Sequence, residues 1–118
     1  MSNNIPLIHK ITDFYKLIYQ NNKQINKRDR FSLGLKIENM CLESLELSIT
    51  AAYLPKNEKS DHLKILRIKI EVLKQLVRLA NESNIINGKN YLGLEGRLIE
   101  ISKMNTDWLN WIAKESPK

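Results

Sequence analysis

Between positions 63 and 80 the chain reads LKILRIKIEVLKQLVRLA, with neither glycine nor proline. Leu63, Leu66, Ile70, Leu73, Val77 and Ala80 fall in it at alternating intervals of three and four, the a and d positions of successive heptads. A shorter window, RIKIEV at 67–72, alternates polar and apolar with β-branched residues, as a strand would. The unbroken segment runs from about Glu58 to Ser83, roughly 25 residues, several times a usual strand. The heptad spacing also continues on both sides of the window, so the segment is predicted to be a helix.

Three further segments repeat the pattern. The first, from about Pro6 to Lys23, places Ile8, Ile11, Tyr15 and Ile18 on one face, widened by Leu7 and Phe14. The second, from about Lys27 to Tyr53, aligns Leu33, Ile37, Met40, Leu47 and Ala51, and Pro55 follows as a stop. The fourth, from about Lys89 to Lys114, aligns Tyr91, Leu94, Leu98, Ile101, Trp108 and Ile112, with polar Asn105 interrupting. Asn87-Gly88 before it is a strong turn signal. Gly93 and Gly96 lower helix propensity there and are expected to allow close helix packing, or to be merely tolerated. The 118 residues hold only 4 Gly and 3 Pro, so turns are few and elements long. The expected fold is all-α: one domain over residues 1–118, an antiparallel up-and-down four-helix bundle. Its rods should each be near 38 Å long, from about 1.5 Å per residue.

The third helix has more apolar surface than one core needs. At about 100° per residue its heptad residues fill an arc from about 260° to 360°, with Leu63 at zero. Ile65, Ile68, Val72, Leu76 and Leu79 fill a second arc, from about 140° to 220°. The second helix behaves similarly: Phe31, Leu35, Leu42, Leu45 and Ile49 lie opposite its core face, with Glu38 among them. Two neighbouring helices with two apolar faces each point to a subunit interface, carried by Leu35, Leu42, Ile49, Ile65, Ile68, Val72, Leu76 and Leu79. A wide core wrapping both helices is the other reading.

The remaining arc of the third helix, about 20° to 100°, holds Lys64, Arg67, Lys74 and Arg78 with Glu71 among them. Lys69 stands apart as a rim residue with a buried stem. From Lys56 to Arg78 there are seven basic and three acidic residues, a local +4 within a chain of net charge +6. The pI is about 9.5. Such a stripe can neutralise phosphates, or can be a solvated face with i,i+4 pairs. Lys27, Arg28 and Arg30, at the head of the second helix, complete the candidate nucleic-acid set.

Catalytic and metal chemistry is not expected. His9 and His62 lie far apart, and the single Cys41 has no C-x-x-C partner. A di-iron bundle needs Glu-x-x-His on its helices. Here Glu58 precedes His62 by four, and Pro6 stands three before His9. No phosphate-binding loop, nucleophile elbow or H-E-x-x-H occurs. Cys41 and the histidines are expected to pack or face solvent, and the protein is expected to be a non-enzyme without cofactors. A lone cysteine, a polar N-terminus and the lack of any run of about 20 apolar residues make a cytoplasmic protein with no membrane contact the expectation.

Three stretches carry a resemblance: RFSLGLKIENMCLESLELSITAAY at 30–53, LKQLVRLANESNIINGKNY at 73–91 and LEGRLIEISKMNTDWLNWI at 94–112. They resemble the second helix, the third-to-fourth helix junction and the final helix of the accessory variability determinant (Avd) proteins of diversity-generating retroelements. A sister group, encoded within ribosomal RNA intervening sequences, usually carries an NIAEG-like segment where this chain has SITAAY. The chain departs from the Avd pattern at Thr106 and Asp107, where a Gly-Gly pair is common, and at Asn81, where His or Tyr is common. The resemblance implies a basic homopentameric barrel without catalytic residues. It would bind a reverse transcriptase together with template RNA, and cDNA, in support of mutagenic cDNA synthesis. The alternative is a structural or protein-interaction bundle of the intervening-sequence type without strong nucleic-acid affinity.

Overall fold

A computed structural model describes residues 4–115, with side chains from 6 to 114. Its helices are α1 (Asn4–Asn22), α2 (Lys27–Asp29), a π-helical segment (Arg30–Gly34), α3 (Leu35–Tyr53), α4 (Lys56–Glu82) and α5 (Gly88–Glu115). The described residues include no strand, and RIKIEV lies within α4. Since α2, the π segment and α3 follow without a break, the described residues make four rods in a bundle of 52 × 21 × 19 Å. α4 packs against α3 and α5, and α1 closes the ring against the same two.

The second rod spans the residues expected of it, but it is not uniformly α-helical. At the π segment the ladder is re-registered, and side chains take up its backbone groups. Asn22, buried at the end of α1, donates its amide to the Gly34 carbonyl at 3.0 Å and to the Glu38 carboxylate at 2.6 Å. A Cβ on Gly34 would lie 3.2 Å from the Asn22 amide, so glycine lets α1 close onto this turn. Ser32 Oγ donates to the Arg28 carbonyl at 2.8 Å.

Asparagines set the ends of the rods. The Asn26 side chain accepts from the Asp29 N–H at 2.9 Å and caps α2. Beyond α4, Asn84 takes a left-handed φ of 63°. There the Ile85 N–H reaches the Ala80 carbonyl at 2.8 Å and the Asn84 N–H reaches that of Asn81 at 3.1 Å, the paired bonds of a Schellman ending. The expected Asn87-Gly88 turn is a helix start instead: Gly88 has no positive φ, and Asn87 Oδ1 accepts from the Asn90 N–H at 2.8 Å.

The core follows the heptads closely in α4, where all six expected residues are buried. In α5, Leu94, Leu98, Ile101, Trp108 and Ile112 are buried and Tyr91 is half-buried. In α1 the face centres on Leu7, Ile11, Phe14 and Ile18. Ile8 and Tyr15, one residue further on and so about 100° round, sit at its rim. In the second rod, Ile37, Met40 and Ala51 are buried, but Leu33 of the π segment and Leu47 are only half-buried; Cys41, Ser44 and Ser48 fill the inner face instead. The serine hydroxyls donate to their own helix, at 2.8 Å each to the Met40 and Leu45 carbonyls. Such back-bonding makes a small polar residue acceptable inside.

Gly93 and Gly96 do not serve close packing. Both are exposed, and a Cβ at either would meet nothing within 4 Å. Gly96→Ala should therefore stabilise the fold by roughly 0.5–1 kcal/mol through helix propensity. Thermal unfolding measures it, and a lowered melting temperature would show a contact at that position.

Candidate nucleic-acid interface

Charges on α4 divide by what they touch. Lys69, half-buried, bridges to Glu43 of α3 at 2.8 Å; that ion pair holds the Glu43 carboxyl below its ordinary range. Lys74 pairs with Glu71 at 2.9 Å. Arg78 reaches the Tyr91 hydroxyl on α5, a contact that holds the guanidinium still more firmly protonated, while Tyr91 itself donates to Glu95 at 2.9 Å. Lys64 and Arg67 are exposed, without an ion pair among the described residues. The stripe thus borders α5, with Lys64 and Arg67 as its uncommitted charges.

Lys59, counted in the local positive charge, is withdrawn from it. It is 4 % exposed and donates from Nζ to the Ala51 and Ala52 carbonyls at 2.6 and 3.2 Å, closing the end of α3. Its ammonium lies 5.8 Å from the Trp108 ring centre, and burial lowers its pKa from the ordinary value. Spacing could have found it, since Lys59 precedes Leu63 by four and so continues the heptads of α4. Asn105, fully buried, likewise occupies a heptad position in α5 and donates to the Leu63 carbonyl at 3.2 Å.

At the head of the second rod, Lys27 and Arg28 are exposed. Arg30 is half-buried and lies over the exposed Phe31 ring, 5.5 Å from its centre. These three are far along the chain from the α4 stripe, and no described contact joins the two sets.

The second apolar arcs lie uncovered within one chain. Ile68 is 63 % exposed, Ile65 and Leu79 are each 47 % exposed, and Val72 is at 36 %. On α3, Leu42 is 44 % exposed and Leu35 and Ile49 are close to it, with Phe31 exposed on the π segment. Leu45 and Leu76 are half-buried against the core. A core wide enough to wrap both helices would have buried these residues, and it does not form in the single chain.

Cys41 is fully buried, and burial, with Glu38 adding to it, pushes its thiol far above the ordinary range. It is a packing residue. In the folded protein it should resist a disulfide-exchange reagent at pH 8 and should react once the chain is denatured. Rapid labelling under native conditions would show that the core opens there.

Among the described residues, no cluster of three or more His, Cys, Asp or Glu could hold a metal ion, and no helix is long and apolar enough to cross a membrane. The described chain is thus a helical bundle with uncovered apolar side chains on α3 and α4 and, beside them on α4, the exposed Lys64 and Arg67. The sequence profile described as bAvd-like matches residues 7–112, nearly the whole chain, and the chain belongs to that family. It is therefore an Avd-related accessory protein, of a non-catalytic kind. No curated protein matches the sequence.

Proposed function

We propose that this protein is a non-catalytic accessory factor of a diversity-generating retroelement. It binds template RNA, or the cDNA made from it, together with the reverse transcriptase, and so supports mutagenic cDNA synthesis. Each 118-residue chain contributes one antiparallel up-and-down domain, and the domains assemble into a homopentameric barrel that acts in the cytoplasm. Cross-helix contacts support the antiparallel order: Lys59 meets Ala51 while Lys69 meets Glu43, and Lys10 meets Glu100 while Asn21 meets Asn90.

The observation that carries the reading is a juxtaposition within a bAvd-like chain. Lys64 and Arg67 stand on α4 without an ion pair among the described residues, and the same helix carries the uncovered Ile65, Ile68, Val72 and Leu79. Assembly through the apolar faces would repeat the cations around a ring and raise avidity for a polyanion. Lys27, Arg28 and Arg30 would extend the contact at the head of the second rod. The mechanism is scaffolding, in which the ring holds a strand and a polymerase in one complex.

The test is fluorescence anisotropy with an RNA of template length at several salt concentrations, beside co-purification with the reverse transcriptase. Binding should weaken steeply as salt rises, because phosphate contacts release counterions. An oligomer that binds neither RNA nor DNA at low salt would instead be the purely structural bundle of the intervening-sequence type.

A further inference from the structure

A groove of about 340 Å³ runs between the last turns of α1 and the first turns of α5. It is separate from the α4 stripe and from the uncovered faces of α3 and α4. Its apolar wall is Leu17, 38 % exposed, together with the buried Leu94. The α5 wall also contains Gly93, whose missing side chain no protein contact explains: a Cβ there would meet nothing within 4 Å. A glycine in an exposed helix costs propensity, and one use for it is close approach of a ligand to the backbone.

The polar lining points to the same kind of ligand. Asn21 accepts from the Asn90 amide through Oδ1 at 3.2 Å, while its own Nδ2 is buried without a partner. A buried donor lacking an acceptor calls for an explanation, and a base carbonyl or ring nitrogen would supply the acceptor once the Asn21 amide turns toward the groove. Lys89 and Arg97 line the groove and are exposed, without an ion pair among the described residues. The volume is at the lower end of ligand pockets, which run from about 300 to 1,000 Å³. It is a size for one nucleotide, not a duplex.

We propose that this groove is a subsite for one nucleotide of a single-stranded nucleic acid. The base lies on Leu17, Leu94 and the Gly93 backbone, Asn21 donates to its edge, and Lys89 and Arg97 hold the adjoining phosphates. The proposal rests on the accessory-factor reading and adds to it a place where an unpaired base is held.

The variant that tests it is Gly93→Met, which fills the groove from a position with open space. Gly96→Met, three residues along α5 and outside the groove, is the control. Both should melt no lower than the parent. By anisotropy with fluorescein-labelled hexauridylate, Gly93→Met should bind about tenfold more weakly, the scale of losing the apolar contact of one base, and Gly96→Met should bind as the parent does. A titration with UMP, followed by amide NMR, separates the sources. Shifts around Gly93 mean that the nucleotide suffices, while silence alongside the weakened hexauridylate binding means that a strand is needed, and both support the subsite.

Equal affinities for the two variants would overturn it, as would a parent that binds long RNA but no hexauridylate. A change in mass by light scattering in Gly93→Met would also overturn it, because the groove would then be a subunit contact. A parent that binds no nucleic acid of any length fails at the accessory-factor reading itself, and the subsite falls with it.

Discussion

Replacing Ile68 and Val72 together by glutamate should give a protein that remains folded and helical but has a smaller mass in solution. Ile68 is 63 % exposed in the single chain, and Val72 stands at the exposed margin. Neither belongs to the buried cluster that holds the bundle together, so the substitutions remove little from the fold. In an assembly each would place a carboxylate in an apolar contact. The desolvation cost there is several kcal/mol per ion, enough to break an interface of ordinary affinity. Light scattering reads the mass and circular dichroism the helicity. Leu76 on the same face is half-buried against the core, so its replacement would confound unfolding with dissociation. Leu42→Glu, with Leu42 44 % exposed on α3, asks whether the second face takes part. If the parent protein is itself monomeric, the uncovered faces serve another partner and the assembly reading fails.

How far the sequence is legible depends on whether spacing or residue type is followed. In α4 the two agree, and Leu63, Leu66, Ile70, Leu73, Val77 and Ala80 are all inside. In the second rod they disagree. Counting apolar residues favours Leu33 and Leu47, whereas the interval rule through Ile37, Cys41, Ser44, Ser48 and Ala51 names residues that are all buried. The serines are hidden from a hydrophobicity reading because their hydroxyls are satisfied by their own helix, a geometric fact with no compositional mark. Lys59 and Asn105 are the same case: both stand at heptad positions, and both bond to carbonyls that the folded bundle brings to them. The π segment leaves no periodic trace, since it depends on Asn22 meeting Gly34 across twelve residues. The candidate stripe is legible as a set of charges. The tie of Lys74 to Glu71 follows from their spacing on one helix, but that of Arg78 does not, because Tyr91 comes from α5.

That division of the stripe sets the second large effect. Reversing Lys64 and Arg67 together, as Lys64→Glu with Arg67→Glu, should reduce affinity for RNA on the order of a hundredfold or more at moderate salt. Both side chains are exposed and without an ion pair among the described residues, so the helical content should stay unchanged. The salt dependence should flatten as well. Each phosphate left without its cation keeps its condensed counterion, so the slope falls by about 0.9 per phosphate on a duplex and about 0.7 on a single strand. In an assembly the two reversed charges recur in every subunit that touches the strand, which is why the weakening should exceed that of two isolated charges. Reversing Lys74 and Arg78 should behave differently. Lys74 is tied to Glu71 at 2.9 Å, and Arg78 is engaged with Tyr91 across the α4–α5 junction. Their replacement should lower the melting temperature and cost less affinity than the first pair. Equal weakening by both pairs would mean that RNA competes the committed charges away from their partners. Undiminished affinity after reversing Lys64 and Arg67 would take the strand off α4 and leave Lys27, Arg28 and Arg30 as the charges to test.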